Sequence, residues 1–127
     1  MSESIVYTVS VAIPNGPTLG LHQSLTVDAF DKIAVAVPDA TTNMNVELQP
    51  GGANQVHFLM VASDQYLSGL TYKINAATAS HNLDGPLVLI GPGAVGLLNT
   101  APARLVFSNT TGQDVKVDIL IGRDATP

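Results

Sequence analysis

The chain has 127 residues and a mass of 13.2 kDa, which suits one domain that folds without disulfides or a metal. Charged residues make up only 12% of the chain, about half the share in an average soluble domain, while hydrophobic residues make up 46%. Ten acidic and five scattered basic residues give a net charge of −5. The sequence therefore predicts no binding to nucleic acid or to an anionic membrane surface.

The N-terminus and the residue types that are missing bear on location. Without cysteine there is no disulfide framework, thiol catalysis or cysteine-ligated metal. The first residues, Met1-Ser2-Glu3-Ser4, carry an acid and no base, which does not fit a secretory signal peptide. No apolar run approaches the ~18 residues of a membrane-spanning helix. We expect a cytoplasmic protein, or a virion protein if the gene belongs to a phage.

In the N-terminal quarter of the chain, apolar and polar residues alternate with a period of two. The first set predicts a half-buried strand with one apolar face formed by Ile5, Tyr7, Val9, Val11 and Ile13. A turn follows at Pro14-Asn15-Gly16-Pro17. The next set predicts a second strand whose apolar face contains Leu19, Leu21, Leu25 and Val27.

The middle of the chain contains shorter apolar segments. Ile33, Val35 and Val37 predict a third strand that ends before Pro38. Residues 39–45 are polar and predict a loop, and residues 46–49 predict a short strand. Residues 56–62 are apolar on both faces except for His57, which is typical of a central strand covered on both sides.

The remaining segments complete an all-β pattern. Further strands are predicted at 70–75, at 87–90, around Leu105 and Phe107, and at 115–121, with a hairpin loop at 109–113. Helical signals are weak: residues 93–99 suit a turn or two, and residues 76–80 suit another short turn. Eight or nine short strands predict a single antiparallel β-sandwich domain over residues 1–127, jelly-roll-like, with at most one or two short helical turns. Most aromatic side chains fall at positions expected to face the core.

One glycine-rich motif has the spacing of a nucleotide-binding loop. Residues 91–96 read Gly-Pro-Gly-Ala-Val-Gly directly after a predicted strand. A dinucleotide site needs a full helix after the loop, and Pro102 leaves room for about two turns. We interpret the motif as a bend and predict no cofactor.

The titratable residues do not form a recognisable catalytic or metal-binding pattern. His22, His57 and His81 are far apart and lack the local spacing of metal ligands. The carboxylate pairs Asp28 with Asp31 and Asp114 with Asp118 suit a solvated strand face and strand-end turns. Asn109-Thr110-Thr111 matches a glycosylation sequon but is better explained as turn chemistry. We predict no catalytic residue and no metal site.

These exclusions favour a non-enzymatic structural protein. A surface rich in Thr, Ser, Asn, Ala and Gly suits contact with copies of the same chain, so we expect a symmetric homo-oligomer. In overall character, the chain resembles small all-β virion proteins of tailed bacteriophages, such as capsid-decoration, neck or tail components. Those proteins are often free of cysteine, poor in charge and symmetric. The resemblance implies a mechanical role, with other virion proteins as further partners.

The alternative function is a carbohydrate-binding β-sandwich module. Such modules usually stack sugars on an exposed Trp or Tyr, and this chain has no Trp and three Tyr. Tyr66, in the polar segment 63–66, is the one candidate for a ligand-binding ring. An enzyme is the third possibility, and no residue set in the sequence supports it.

Overall fold

The computed structural model describes residues 3–48, 55–75, 78–98 and 102–124. Within these ranges a 3₁₀ turn, Gly96–Leu98, follows one short helix, and all other regular structure is β. The elements in chain order are β1 (Glu3–Ala12), β2 (Thr18–Val27), β3 (Ala29–Val37), β4 (Thr41–Glu47), β5 (Val56–Ser63), β6 (Leu70–Ile74), β7 (His81–Asn82), β8 (Leu87–Ile90), α1 (Pro92–Val95), β9 (Arg104–Asn109) and β10 (Val115–Arg123).

Eight of the strands form two four-stranded antiparallel sheets. The front sheet has the order β3-β10-β5-β8, and the back sheet has the order β4-β9-β6-β7. The chain crosses between the sheets at every connection from β3 to β10 except that from β6 to β7. This is the strand order of a jelly roll. The predicted antiparallel, jelly-roll-like sandwich is confirmed.

The core lies between the two sheets and takes every second residue from their strands. Along β10 the inward residues Val115, Val117, Ile119 and Ile121 are all at most 1% exposed. From the back sheet, Leu105 and Phe107 are fully buried in the same cluster. Alternation with a period of two therefore gives the inward face of these strands correctly.

The structure of residues 39–45 differs from the sequence prediction. They were expected to form a loop, but β4 already begins at Thr41. Its pairing with β9 shifts in register between Thr41 and Met44, and Asn43 has a φ of 56°. An irregularity of this kind interrupts the two-residue period and hides the strand from pattern analysis. With the two-residue β7 added, the described residues form ten strands, where eight or nine were predicted.

β5 also corrects an expectation. It lies between β10 and β8, as a central strand should, but its two faces are not equally covered. Leu59 and Val61 point into the core and are fully buried, whereas Met60 and Ala62 on the outer face are only half-buried. The prediction of cover on both sides is therefore wrong for this part of the strand.

Helical structure is limited, as the sequence predicts. The four residues of α1 and the following 3₁₀ turn occupy 92–98, close to the predicted 93–99, of which residue 99 lies outside the described residues. Of the second predicted turn at 76–80, residues 78–80 are not helical, and residues 76 and 77 lie outside the described residues. Val95 is buried in the sandwich core. In the ranges that the structure describes, no helix has the length and apolarity needed to cross a membrane.

Candidate functional site

β1 and β2 form a two-stranded antiparallel sheet of their own. We call residues Glu3–Val27 the arm. Its pairing runs from Glu3 opposite Val27 to Ala12 opposite Thr18. Among the described residues, neither strand pairs with the front or the back sheet. The arm is therefore a ribbon whose two strands both have a free edge.

The tip of the arm is a turn that its sequence specifies. The amide of Gly16 donates to the carbonyl of Ile13 over 2.8 Å, and the amide of Ile13 donates to the carbonyl of Pro17 over 3.1 Å. Asn15 has a φ of 60°, in the left-handed region that Asn tolerates better than most residues. The predicted turn at 14–17 is thus where the chain reverses.

The two faces of the arm differ in chemistry. Cross-strand pairs such as Val9 with Leu21 and Val11 with Leu19 place apolar residues opposite one another. One face, the apolar face of the arm, therefore contains Ile5, Tyr7, Val9, Val11, Leu19, Leu21, Leu25 and Val27. The opposite face is mostly small and polar, with Thr8 hydrogen-bonded to the Nδ1 of His22 over 2.7 Å.

Most of the apolar face is open to solvent near the tip. Val11 is 51% exposed, Leu19 67% and Leu21 40%, and Ile13 in the turn is 54% exposed. The sequence predicted the face correctly, but the half-buried environment that it predicted for this strand is wrong here. The physical reason is that, among the described residues, no layer of the sandwich lies against this part of the ribbon.

At its base the arm packs on the front sheet. A Cβ on Gly122 would lie 2.7 Å from Ile5 Cδ1 and 3.2 Å from Val27 Cγ1, so the absent side chain makes room for the arm. Val27 is 1% exposed, and Phe58 beside it is 4% exposed. The amide of Asp28 donates to the carbonyl of Arg123 over 3.0 Å. These contacts fix where the arm leaves the sandwich.

The arm carries almost none of the chain's charge. Between Glu3 and Asp28 the sequence has no Asp, Glu, Lys or Arg, and the imidazole of His22 is its one titratable group apart from the Tyr7 phenol. The charged residues of the chain therefore lie outside the arm, apart from Glu3 at its base. Charged residues are depleted in this way at the cores of protein interfaces.

The outer face of the front sheet is apolar in part. In the register, Gly122 lies between Phe30 and Phe58, and Leu120 lies beside Met60. The same face carries the charged residues Lys32, Lys116 and Asp118. Phe30 is 51% exposed, which corrects the expectation that it faces the core. Around Leu120 the sheet has a depression of about 400 Å³, lined by Lys32, Met60, Ala62, Asp118, Ile119 and Leu120. Sandwich strands normally turn polar residues outward.

The structure does not bring the three histidines together. His22 lies on the arm, and His57 on the front sheet has its Nε2 3.4 Å from an Asp124 carboxylate oxygen. His81 on the back sheet lies against Tyr72, with 5.5 Å between ring centroids. Burial and the nearby Asp84 raise the pKa of Tyr72. In the part of the chain that the structure describes, no three His, Asp or Glu side chains group to hold a metal ion.

The two carboxylate pairs are separated as well. Asp31 accepts a hydrogen bond from Arg123 at the start of the front sheet, close to the turn at Asp28. Asp114 accepts from the backbone amide of Asp39 in the loops at the end of the sandwich, over 2.9 Å. Asp118 is exposed on the outer face of the front sheet. Asp31 and Asp114 thus each accept a hydrogen bond from a neighbouring part of the fold.

The glycine-rich motif forms a bend, as interpreted from the sequence. Gly91 has a φ of 94°, where glycine is favoured, and its amide donates to the carbonyl of His57 over 2.7 Å. The helix that follows has only four residues, Pro92–Val95. That length does not provide the helix N-terminus on which a dinucleotide fold relies.

Tyr66, the candidate sugar-stacking residue, is 38% exposed in the loop between β5 and β6. Its hydroxyl accepts a hydrogen bond from the amide of Ser63 over 3.1 Å. The Ser63 hydroxyl in turn donates to the carbonyl of Gln65 over 2.7 Å. The phenol thus belongs to the closure of its own loop, and the carbohydrate-binding alternative stays a prediction that rests on one exposed ring.

Asn109 is a structural residue whose role the sequence did not reveal. It is fully buried, and its side-chain amide donates to the carbonyls of Val37 over 2.9 Å and Gln113 over 2.8 Å. Its Oδ1 accepts from the amide of Thr111 over 2.9 Å. The sequon therefore serves the turn, as interpreted, and also ties the loop between β9 and β10 to the end of β3.

Comparisons with models of protein families, with curated proteins and with solved structures each find no match. The class that the fold defines is an all-β jelly-roll sandwich with a projecting, uncharged arm. Because a fold of this kind hosts unrelated functions, the function has to be argued from the arm and the surface beside it.

Proposed function

We propose that this protein is a non-enzymatic structural protein that assembles with copies of itself through the arm. The observation that carries this proposal is the uncovered apolar face of the arm, where Leu19 is 67% and Val11 51% exposed. Large apolar surfaces on a soluble chain mark interaction sites. Each methylene that a partner covers contributes roughly 0.8 kcal/mol.

The stability of the ribbon supports the same proposal. A two-stranded hairpin is marginally stable in water unless a further strand or layer covers it. Here the sandwich covers only the base, through Ile5 and Val27. An assembly that covers the rest would stabilise the arm and would also protect its free edges. The lack of charge between Glu3 and Asp28 removes the electrostatic cost of burying it.

As the setting for this role we propose a small virion component of a tailed bacteriophage. The support is the composition of the chain together with its fold, since jelly rolls recur in viral capsid proteins as well as in lectins and cupins. Neighbouring genes for capsid, portal or tail proteins are the expected genomic context. A context of unrelated metabolic genes would contradict this setting without bearing on self-assembly.

Sedimentation velocity over a range of concentrations tests the assembly. We expect wild-type protein to have a mass that is a multiple of 13.2 kDa. The double variant Leu19→Glu with Leu21→Glu should be monomeric, because two carboxylates cannot be buried without partners. Circular dichroism should show that the sandwich stays folded, since neither residue contributes to its core.

The matched control is Thr18→Glu, beside Leu19 on the opposite face of the arm. We expect this variant to assemble like the wild type. A monomeric wild type at about 100 µM, above the dissociation constants of ordinary specific complexes, would overturn the proposal. So would an unchanged mass for the double variant, or equal dissociation of the double variant and Thr18→Glu.

A further inference from the structure

In the part of the chain that the structure describes, a second uncovered apolar surface lies close to the arm. The first is the apolar face of the arm, and the second is the outer face of the front sheet. On the second, Phe30 is 51% and Val88 41% exposed, while Met60 and Leu120 between them are half-buried. The two surfaces meet at Gly122, where Ile5 of the arm already packs on the sheet.

The two surfaces match in chemistry and shape. The arm presents protruding branched side chains, and the sheet presents a depression of about 400 Å³ around Leu120. The charges that line this depression are Lys32 and Asp118, which have opposite signs. A neutral ribbon laid across it would introduce no charge next to either of them.

In its own chain the arm reaches this face only at Gly122 and Phe58, and no residue of the arm lines the depression around Leu120. Ile5 and Val27 hold the base at Gly122, and the ribbon then projects away, leaving Leu19 67% exposed. A second copy carries the same sheet face and is free to present it to the tip of the arm. If each of two copies docks its arm on the other, both apolar surfaces of both chains are covered.

The buried area favours this reciprocal arrangement. At about 3.3 Å per residue and 4.8 Å between strands, a ribbon of this size is roughly 33 Å long and 10 Å wide. Only the outer half of this face is uncovered, so covering it on both arms, together with the sheet beneath, buries on the order of 600 Å² of flat area, which is the size of a weak or transient interface. A ring with one arm in each contact would bury about half as much.

We infer that the apolar face of the arm docks on the outer face of the front sheet of a second copy, in a reciprocal twofold dimer. This inference rests on the proposed self-assembly and adds the receptor surface and the symmetry. Leu19 and Leu21 enter the depression beside Leu120, and Phe30 covers the edge of the contact.

Cross-linking between two single-cysteine variants tests the receptor surface, because the natural chain has no cysteine. One variant carries Leu21→Cys on the arm, and the other carries Ala62→Cys in the depression. After mixing and treatment with a short bis-maleimide, we expect a cross-linked product between the two chains. The matched control replaces the second variant by Asn45→Cys, on the exposed outer side of the back sheet, and should give little product.

A second pair of variants measures the same contact without cross-linking. Leu120→Glu should raise the dissociation constant of the dimer roughly tenfold or more, because it replaces an apolar contact with a carboxylate that loses its water under the arm, even with Lys32 opposite it. Asn45→Glu should leave the constant unchanged. Circular dichroism checks that both chains are folded, and Leu120→Ala provides a milder variant that should weaken the dimer in the same direction.

The outcomes separate this inference from the proposed function. A twofold dimer that cross-links from Leu21→Cys to Ala62→Cys and weakens with Leu120→Glu supports both. An oligomer that depends on Leu19 and Leu21 but cross-links to Asn45→Cys, or that has a mass above a dimer, overturns the inference and leaves assembly through the arm in place. A monomeric wild type overturns both.

Discussion

The arm and the sandwich share one sequence pattern, yet only the sandwich buries its apolar residues within the chain. In β10, Val117 and Ile119 are fully buried because β10 lies between β3 and β5 and faces the back sheet. In the arm, Val11 occupies the equivalent inward position of its strand and is 51% exposed. In the described ranges, β1 pairs only with β2, and no layer lies against its apolar face near the tip.

This difference shows what alternation does and does not report. A period of two records that one face of a strand is apolar, whichever molecule covers that face. In β10 the cover is the back sheet of the same chain. In the arm, the same alternation is compatible with an apolar face that another copy of the chain covers. The apolar face therefore supports a proposal about assembly.

The largest expected effect is the difference in stability between a leucine-to-alanine substitution in the sandwich core and the same substitution on the arm. Leu105→Ala in the core should lower the free energy of unfolding by about 2–5 kcal/mol, because the side chain is fully buried and leaves a cavity. Leu19→Ala, at a position 67% exposed, should change it by less than about 0.5 kcal/mol in dilute monomer. Denaturant titration of both variants measures the contrast.

For assembly, the order of the two effects is reversed. Leu19→Ala should weaken the oligomer, and Leu105→Ala should leave its dissociation constant unchanged as long as the chain is folded. Equal losses of stability from the two substitutions in dilute monomer would show that the arm is packed on its own sandwich. That result would remove the difference between the two regions.

Much of the fold was predictable from local pattern. Strands 87–90 and 115–121 have regular alternation or a continuous apolar run between turn signals, and the structure forms them there. β4 was recovered only in part, since the register shift between Thr41 and Met44 breaks the period. β7 has two residues, too few to carry any period.

The candidate surface was less predictable. Two features of this surface can be seen in the sequence: apolar residues alternate along the first two strands, and no charged residue lies between Glu3 and Asp28. The exposure of these apolar residues cannot be seen there, because it depends on which strands pair across long sequence separations. Phe30 illustrates another limit: β3 begins at Ala29 and not at Ile33, and the alternation that turns Ile33 inward turns Phe30 outward. The role of Asn109 likewise depends on Val37, 72 residues away.

A smaller effect is expected where a single polar group holds the end of the sandwich. Asn109→Ala removes two donors and one acceptor and leaves the buried carbonyl of Val37 without its side-chain donor. We expect a loss of about 2 kcal/mol in the free energy of unfolding. Asn45→Ala, at an exposed position of β4, is the matched control and should have little effect. Similar melting temperatures for the two variants would contradict the structural role of Asn109.

The smallest effect is expected at the junction of the two regions. Gly122→Ala places a Cβ 2.7 Å from Ile5 Cδ1 and 3.2 Å from Val27 Cγ1, so the base of the arm has to shift. Because Ile5 Cδ1 is the end of a side chain that can rotate, we expect a loss of only about 1 kcal/mol in stability. Hydrogen exchange should locate it, with faster exchange of the Asp28 amide, which bonds Arg123.

A double variant shows whether this loss arises at the junction. Ile5→Val removes Cδ1, so adding it to Gly122→Ala should restore part of the slow exchange of the Asp28 amide that Gly122→Ala alone removes. The two substitutions are then coupled, as expected for side chains in contact. Strict additivity of their effects would show that the arm does not pack on Gly122. The arm would then be an independent ribbon, and its direction of projection would have to be set by the backbone hydrogen bond at Asp28 alone.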